Sequence, residues 1–452
     1  MEAYRVIYLE QAIKETFMID EIRIKKLFDQ LFPINRSIVG SAIQQSHRII
    51  ESYIGREANF IRIPSGTNIN SWIIPQAWSI SRSWGVCKKT GKLLFDTNVS
   101  NLHVWSHSIK FSGELTKSEL VSRHVSVHPT IKNAIPYVTA YYSNTWGISL
   151  TREKLDEMCE GPFEINIHSK LQDGELEIME FLLPGKSNQE ILFTTYMCHP
   201  SMANNELTGP VLAAELIKLL VAKKETNYSY RFVFAPETIG HISYINQLGL
   251  EKLKNVIHGF NLTCLGIGQE WNIMPTRNGA TYTDFVIELL LKSNGKDYQI
   301  RNFMERGSDE RQYNSPNVDV DMVSAMRCKY HEFENYHTNL DNLDNLDFET
   351  FIDSVDTYSK LIELLEIDGN VISNFMGEPF LNSNPLLSTT GGQNHHNPSF
   401  RQDVLNFLAF CDGKSVLEIM QRTNLPYDEI FQLVDFLKIY KLARFSPFGS
   451  AS

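Results

Sequence analysis

Between residues 163 and 293 the chain alternates short apolar runs with longer amphipathic ones, and that rhythm leaves few folds open. "FEINIHSKL", "LEIMEFLL" and "EILFTTYM" read as strands, and "GPVLAAELIKLLVAKK" reads as a helix. Strand "YRFVFAPE", helix "GHISYINQLGL", strand "NVIHGFNLTCLG" and helix "YTDFVIELLLKS" follow in turn. Strands alternating with helical stretches predict an α/β fold, a mixed sheet with helices on both faces. Such a sheet places its functional loops at the carboxyl ends of its strands.

The flanks have other textures. The first 55 residues carry apolar positions at helical spacing, in "IDEIRIKKLFDQLF" and "SAIQQSHRIIESYI", broken by Pro33 and "INRSIVG". From Asn59 to Phe111 short alternating runs rich in Trp and β-branched residues, with turns at "SGTN" and "KKTGK", predict a small antiparallel β unit. "MGEPFLNSNPLLSTTGGQNHHNPSF" reads as a linker. The tail from Arg401 gives helix, turn, helix, a second turn at Asn424-Leu425-Pro426, helix, and a strand-like end, a winged-helix pattern. Six basic residues there face six acidic ones, so protein contact is expected rather than DNA.

A net charge of −11 argues against a general nucleic-acid or anionic-membrane binder. The first residues fit neither a signal peptide nor a membrane span. The six cysteines are scattered without a CxxC pair and read as reduced thiols of a cytoplasmic protein.

Four segments at strand ends or in following loops carry chemistry: His199 after "ILFTTYMC", Glu237 in "FVFAPETIG", "RGSDERQYNSP" from Arg306, and "ENYHTNLDNLD" with His337, Asp341 and Asp344. Each also has a structural reading. A strand-end histidine can be a hydrogen-bonded structural residue, Glu237 a helix cap, "SDERQ" a solvated loop, and "NLDNLD" a helix start with acids on the dipole. Cys198 and His199 are neighbours on a strand run, so they are expected on opposite faces and not as a nucleophilic dyad.

The order of these segments resembles the bacterial zinc aminopeptidase superfamily, of the aminopeptidase Y and leucyl aminopeptidase type. "RSIVG", "IPSGT", "AIPYVTAYYSNTWG", "CHPSMANNELTGP", "PETIG", "GSDERQYNSP" and "YHTNLDNLD" resemble, more narrowly, a subgroup with an inserted β domain and a C-terminal winged helix, linked to polysaccharide biosynthesis. The resemblance implies a zinc-exopeptidase-like α/β domain over residues 1–57 and 118–375. It further implies an inserted β domain over 58–117, a linker over 376–400 and a winged-helix-like domain over 401–452. His199 matches the family's first metal ligand, His337 its last, Asn205 the bridging acid and Glu237 the general base. Asp309 matches the acid of the Ser-Asp pair, and Asp341 the acid after His-Thr, which could orient His337. Asp309, Glu310 or Arg311 could hold a free amine or a carboxylate of the substrate.

Three departures matter. Asn205, Thr238 and Thr263 stand where the resemblance implies acidic ligands. A two-zinc site needs several carboxylates, so the expectation is one zinc on His199, His337 and Asn205, with Glu206 an alternative ligand. The implied function is hydrolysis of an N-terminal aminoacyl or related amide bond. Substrates would be a peptide, an aminoacyl small molecule or a carbohydrate conjugate; Trp72, Trp78, Trp84 and Trp105 would suit sugar stacking or the core. A homo-oligomer is compatible. The alternative is a catalytically lapsed fold serving as a binding or assembly module.

Overall fold

A computed structural model describes residues 19–223, 225–383, 387 and 398–448. The expected helical pattern of the first eighteen residues, and most of the expected linker, lie outside the described residues. The chain divides into two units, one formed by the residues up to Gly279 together with Gln299–Val355, the other by Ala280–Tyr298 and the residues from Asp356 on.

The first unit is built on strands β1 (Asn59–Pro64), β2 (Glu175–Leu183), β3 (Glu190–Tyr196), β4 (Ser229–Ala235), β5 (Val256–Asn261), β6 (Trp271–Met274), β7 (Tyr298–Ile300) and β8 (Met322–Met326). They form one sheet in the order β1-β2-β4-β3-β5-β8-β6-β7. The pairs β4/β3, β3/β5 and β5/β8 are parallel, while β1/β2, β2/β4 and β6/β8 are antiparallel. The mixed α/β sheet expected from sequence is therefore present. Every residue of β3 and β4 is buried, as befits central strands covered on both faces. Because β3, β4 and β5 run parallel, their carboxyl ends emerge along one edge, and this fixes where the site must be.

Helices α1 (Glu21–Leu31), α2 (Ser41–Ile54), α3 (Thr208–Ala222) and α4 (Ile239–Leu248) belong to this unit. Asp20 caps α1 by accepting the Arg23 N–H at 3.1 Å, and α1 buries Ile24, Leu27, Phe28 and Leu31. Helix α3 begins with Thr208-Gly209-Pro210. A Cβ on Gly209 would lie 2.3 Å from both the Leu262 carbonyl oxygen and Thr195 Oγ1, so only glycine lets α3 start this close to β3 and the end of β5.

Two segments pair differently from the sequence reading. The run 59–64 does not join the small β unit; it is β1, and Ile61 and Ile63 pack into the main core. Conversely Phe163–Ile167, read as a strand of the α/β sheet, lies between Trp84–Cys87 and Phe111–Leu115 in a separate four-stranded sheet. Its strict alternation, with Phe163, Ile165 and Ile167 buried, suits a sheet covered on one face.

The cysteine expectation is also corrected. Cys87 and Cys159 form a disulfide across 72 residues, while Cys198, Cys264, Cys328 and Cys411 are free. Sequence spacing hides this pair because it is the small sheet that brings the end of Trp84–Cys87 beside the chain entering Phe163–Ile167.

In the second unit, helices Pro398–Leu408, Val416–Thr423 and Tyr427–Ile439 accompany a three-stranded sheet of Asp412–Ser415, Asn370–Ser373 and Ala443–Ser446. Ser415 and Glu418 form a capping box, and Asn424, with φ of 52°, ends that helix at the expected turn. No described helix is long and apolar enough to cross a membrane.

Three buried histidines make stability pH-dependent. Burial lowers the pKa of His107 and His258 to about 4 and of His241 to about 3. Below the ordinary histidine range the unfolded chain takes up protons that the folded chain refuses, so stability is full above about 6.5 and falls as pH drops towards 4. By linkage each imidazole contributes about 3 kcal/mol over that window. Urea midpoints should fall steadily between pH 7 and pH 4.5. Alkylation of the unreduced, denatured chain should label four cysteines, read by intact mass.

Candidate active site

Strand β3 ends at Tyr196, and the chain turns through Met197 to Ser201 before a single wide helical turn, Ala203–Leu207, feeds α3. Such wide turns recur at functional sites because they re-aim side chains within a helix. Asp341 holds this one in place. Its two carboxylate oxygens accept the N–H groups of Asn204 at 2.7 Å and Asn205 at 2.9 Å, and its carbonyl accepts that of Ala203. Burial pushes its pKa to about 6 despite those bonds. Asp341 therefore fixes the turn rather than orienting His337.

A buried chain of charges runs through this turn. Arg36, fully buried, donates from Nη1 to the Leu31 carbonyl at 2.7 Å and from Nε to the His199 carbonyl at 3.0 Å. Its Nε lies 3.6 Å from Glu206 Oε1, and Glu206 Oε2 is 2.8 Å from His199 Nδ1. With Nδ1 bound to a carboxylate, His199 presents Nε2, which is 3.7 Å from Glu237 Oε2. The His337 ring lies 5.0 Å from that of His199.

These groups face a cavity of about 640 Å³ whose lining includes Cys198, His199, Glu237, Arg311, His337 and Tyr137. Of the residues singled out from sequence, His199, Glu237, His337 and Arg311 meet there. Asn205, Asp309, Glu310 and Asp341 are buried behind its wall. Trp72 also lines the cavity, whereas Trp78 is buried and stacks on His107.

The two histidines are driven in opposite directions. Burial opposes charge on His199, yet its contacts with Cys198 and Glu206 hold its pKa well above the ordinary value. Burial and the neighbouring charge of His199 hold His337 well below. Glu237 sits with 27% of its side chain exposed, and burial raises its pKa although His199 and Arg311 pull the other way. A carboxyl raised in this manner moves towards the range useful to a general base near neutral pH.

Cys198 Sγ lies 3.5 Å from His199 Nδ1, against the expectation of opposite faces. Strand alternation does not apply, because both residues follow the end of β3. Burial pushes the Cys198 thiol up to about 11, which keeps it protonated and a poor nucleophile. The ligand atoms of Cys198, His199 and Glu206 fall within 4.8 Å of one another. The bond from His199 Nδ1 to Glu206, and the pairing of Glu206 with Arg36, tie this trio into the buried chain of charges.

Asn205 donates from Nδ2 to the Tyr196 hydroxyl at 2.8 Å, while its Oδ1 is buried with no hydrogen-bond partner among the described residues. Thr263 is 2.6 Å from the same hydroxyl. Thr238 adopts φ of 62° and ψ of −77°, strained for a β-branched residue. It is pinned by its N–H to Asp309 Oδ1 at 2.8 Å and by its Oγ1, which accepts from Arg311 Nη2 at 2.8 Å. Glu310 accepts from the Gly307 and Ser308 N–H groups and the Tyr330 hydroxyl, and sits within reach of Asn261 and Ser324. Sequence reasoning missed Arg36, Tyr137 and Tyr141. All three lie in "NRSIVG" or "AIPYVTAYYSNTWG", segments whose motifs were visible but whose roles depend on distant partners.

The model of a domain of unknown function, DUF4910, matches residues 25–368. A Clostridium acetobutylicum protein named for polysaccharide biosynthesis and an aminopeptidase-like domain is 36% identical over 416 residues, covering 92% of this chain and 94% of its own. The crystal structure of a protein described as a peptidase, also from Clostridium acetobutylicum, superposes with a TM-score of 0.86 at 33% identity, over 98% of this chain and 100% of that one. A zinc aminopeptidase from Bacillus subtilis shares the fold at a TM-score of 0.52 and 12% identity, over 75% of this chain and 94% of that one.

The charge chain can be tested by removing its middle. Glu206→Gln leaves Arg36 buried without a counter-charge and should cost about 3–5 kcal/mol. The double replacement Arg36→Met, Glu206→Leu should recover most of that loss, measured by urea denaturation.

Proposed function

The chain belongs to the DUF4910 family and has an aminopeptidase-like fold, and on that premise we propose that it is a mononuclear zinc hydrolase cleaving an aminoacyl or related amide bond. The name of the Clostridium acetobutylicum relative supports a place in polysaccharide biosynthesis. The observation that carries the reading is that His199 Nε2 lies 3.7 Å from Glu237, with the His337 ring 5.0 Å from that of His199.

What supports one zinc is the chemistry of three donors. His199 Nε2, the neutral His337 imidazole and the orphaned Asn205 Oδ1 are the atoms that would hold it. When bound, zinc supplies Lewis acidity towards a carbonyl and lowers the pKa of water. Glu206 fixes the tautomer of His199, the carboxylate–histidine support usual for a metal ligand. Glu237 takes the proton from the attacking water and hands it to the leaving amine.

A second reading, a lapsed fold acting as a binding or assembly module, is favoured by one observation. The Thr263 hydroxyl is tied to Tyr196 and to the Asn205 carbonyl, so a position read as acidic in active relatives here serves packing.

Reconstituted protein should hold about one zinc per chain by elemental analysis. His199→Ala should lose it. Glu237→Gln should keep zinc and lose at least ~10²-fold in hydrolysis of a p-nitroanilide panel that includes both aminoacyl and carboxylate-bearing members. Zinc far below one equivalent would favour the lapsed module, and unchanged turnover in Glu237→Gln would remove that residue as base.

A further inference from the structure

The segment Ser308 to Gln312 brings three charged side chains towards the cavity, and their surroundings separate them. Asp309 is fully buried; Oδ1 accepts the Thr238 N–H, and Oδ2 is 3.3 Å from His241 Nε2. Glu310 is fully buried, with both oxygens engaged by backbone N–H groups and neutral side chains. Neither carboxylate is open to a ligand. Arg311 differs: it lines the cavity and has no carboxylate within ion-pair distance among the described residues. Its Nη2 is anchored on Thr238 Oγ1, which orients the guanidinium. Its Nε is buried without a hydrogen-bond acceptor among the described residues.

A guanidinium anchored at Nη2, with its Nε–H lacking an acceptor, suits a planar anion. A buried N–H lacking an acceptor is retained where a ligand supplies one. Among the described residues the only carboxylate lining the cavity is Glu237, and the proposed reaction uses it for proton transfer. No second carboxylate remains there to bind a free α-amine. The lining also includes the aromatic side chains of Trp72, Tyr137, Tyr141 and Tyr142. We propose that Arg311 binds a carboxylate of the substrate, so that the site accepts amides with an apolar or ring-shaped body bearing a carboxylate, rather than substrates recognised by a free α-amine. This rests on the hydrolase reading of the same cavity. The carboxylate could belong to a peptide-like acid or to a uronic sugar, and the two share this chemistry.

Calorimetric titration of the full chain, before and after chelator treatment, tests the idea with four probes: N-acetylphenylalanine, N-acetylphenylalanine amide, phenylalanine amide and methyl glucuronide. At least one carboxylate probe should bind about tenfold or more tighter than both amides. Which acid binds tells the peptide source from the sugar source. Arg311→Gln should abolish the preference and Arg311→Lys should retain part of it, with zinc content and circular dichroism unchanged. Tighter binding of phenylalanine amide, equal binding of the acids by Arg311→Gln, or no binding of any probe would overturn the proposal. Because binding to the chelated chain needs no turnover, a protein that binds the acids but hydrolyses nothing would overturn the hydrolase reading alone. A hydrolase indifferent to Arg311 would overturn only this one.

Discussion

The ion pair between Arg36 and Glu206, sealed from solvent beneath the start of α3, orients what surrounds it. Two charges so placed are a large desolvation burden, and they persist because each is also hydrogen-bonded. Arg36 ties the loop after α1 to the backbone at His199. Glu206 then fixes which nitrogen of His199 meets the cavity. Neither residue lines the cavity, yet the geometry of the residues that do follows from them.

The same economy of charge runs through the wall of the site. Two adjacent histidines are held in opposite protonation preferences, one by a carboxylate and the other by burial and by its neighbour. Thr238, strained in the left-handed region, is clamped from both sides by Asp309 and Arg311. Strain of this kind persists only where surrounding contacts over-determine the backbone. Here it sets the carboxylate of Glu237 and the guanidinium of Arg311 at one cavity.

Periodicity was enough to read β2 to β5 with helices α1 to α4, and strand ends drew attention to His199 and Glu237. Both are local properties, encoded within a dozen residues. What escaped was non-local. The pairing of Asn59–Pro64 with β2 depends on a partner more than a hundred residues away, and the Cys87–Cys159 bridge on a small sheet that brings the two residues together. Asp341 was noticed as an acid after a histidine, but its true contacts are backbone N–H groups that no side-chain pattern reveals. The geometry at Cys198 was misjudged because strand alternation was carried two residues beyond the strand. Arg311 was one of three open choices, and only burial distinguishes it from Asp309 and Glu310.

The bridge between Cys87 and Cys159 closes a covalent ring, and Tyr137, Tyr141 and Tyr142 lie on its circumference. Three of the cavity's aromatic residues thus belong to a loop with no free end. A single backbone cut at an exposed point of that ring, such as Val99, would open it into one tethered arc and release no fragment. The tyrosines on that ring would thus stay covalently joined to both parts of a chain nicked there.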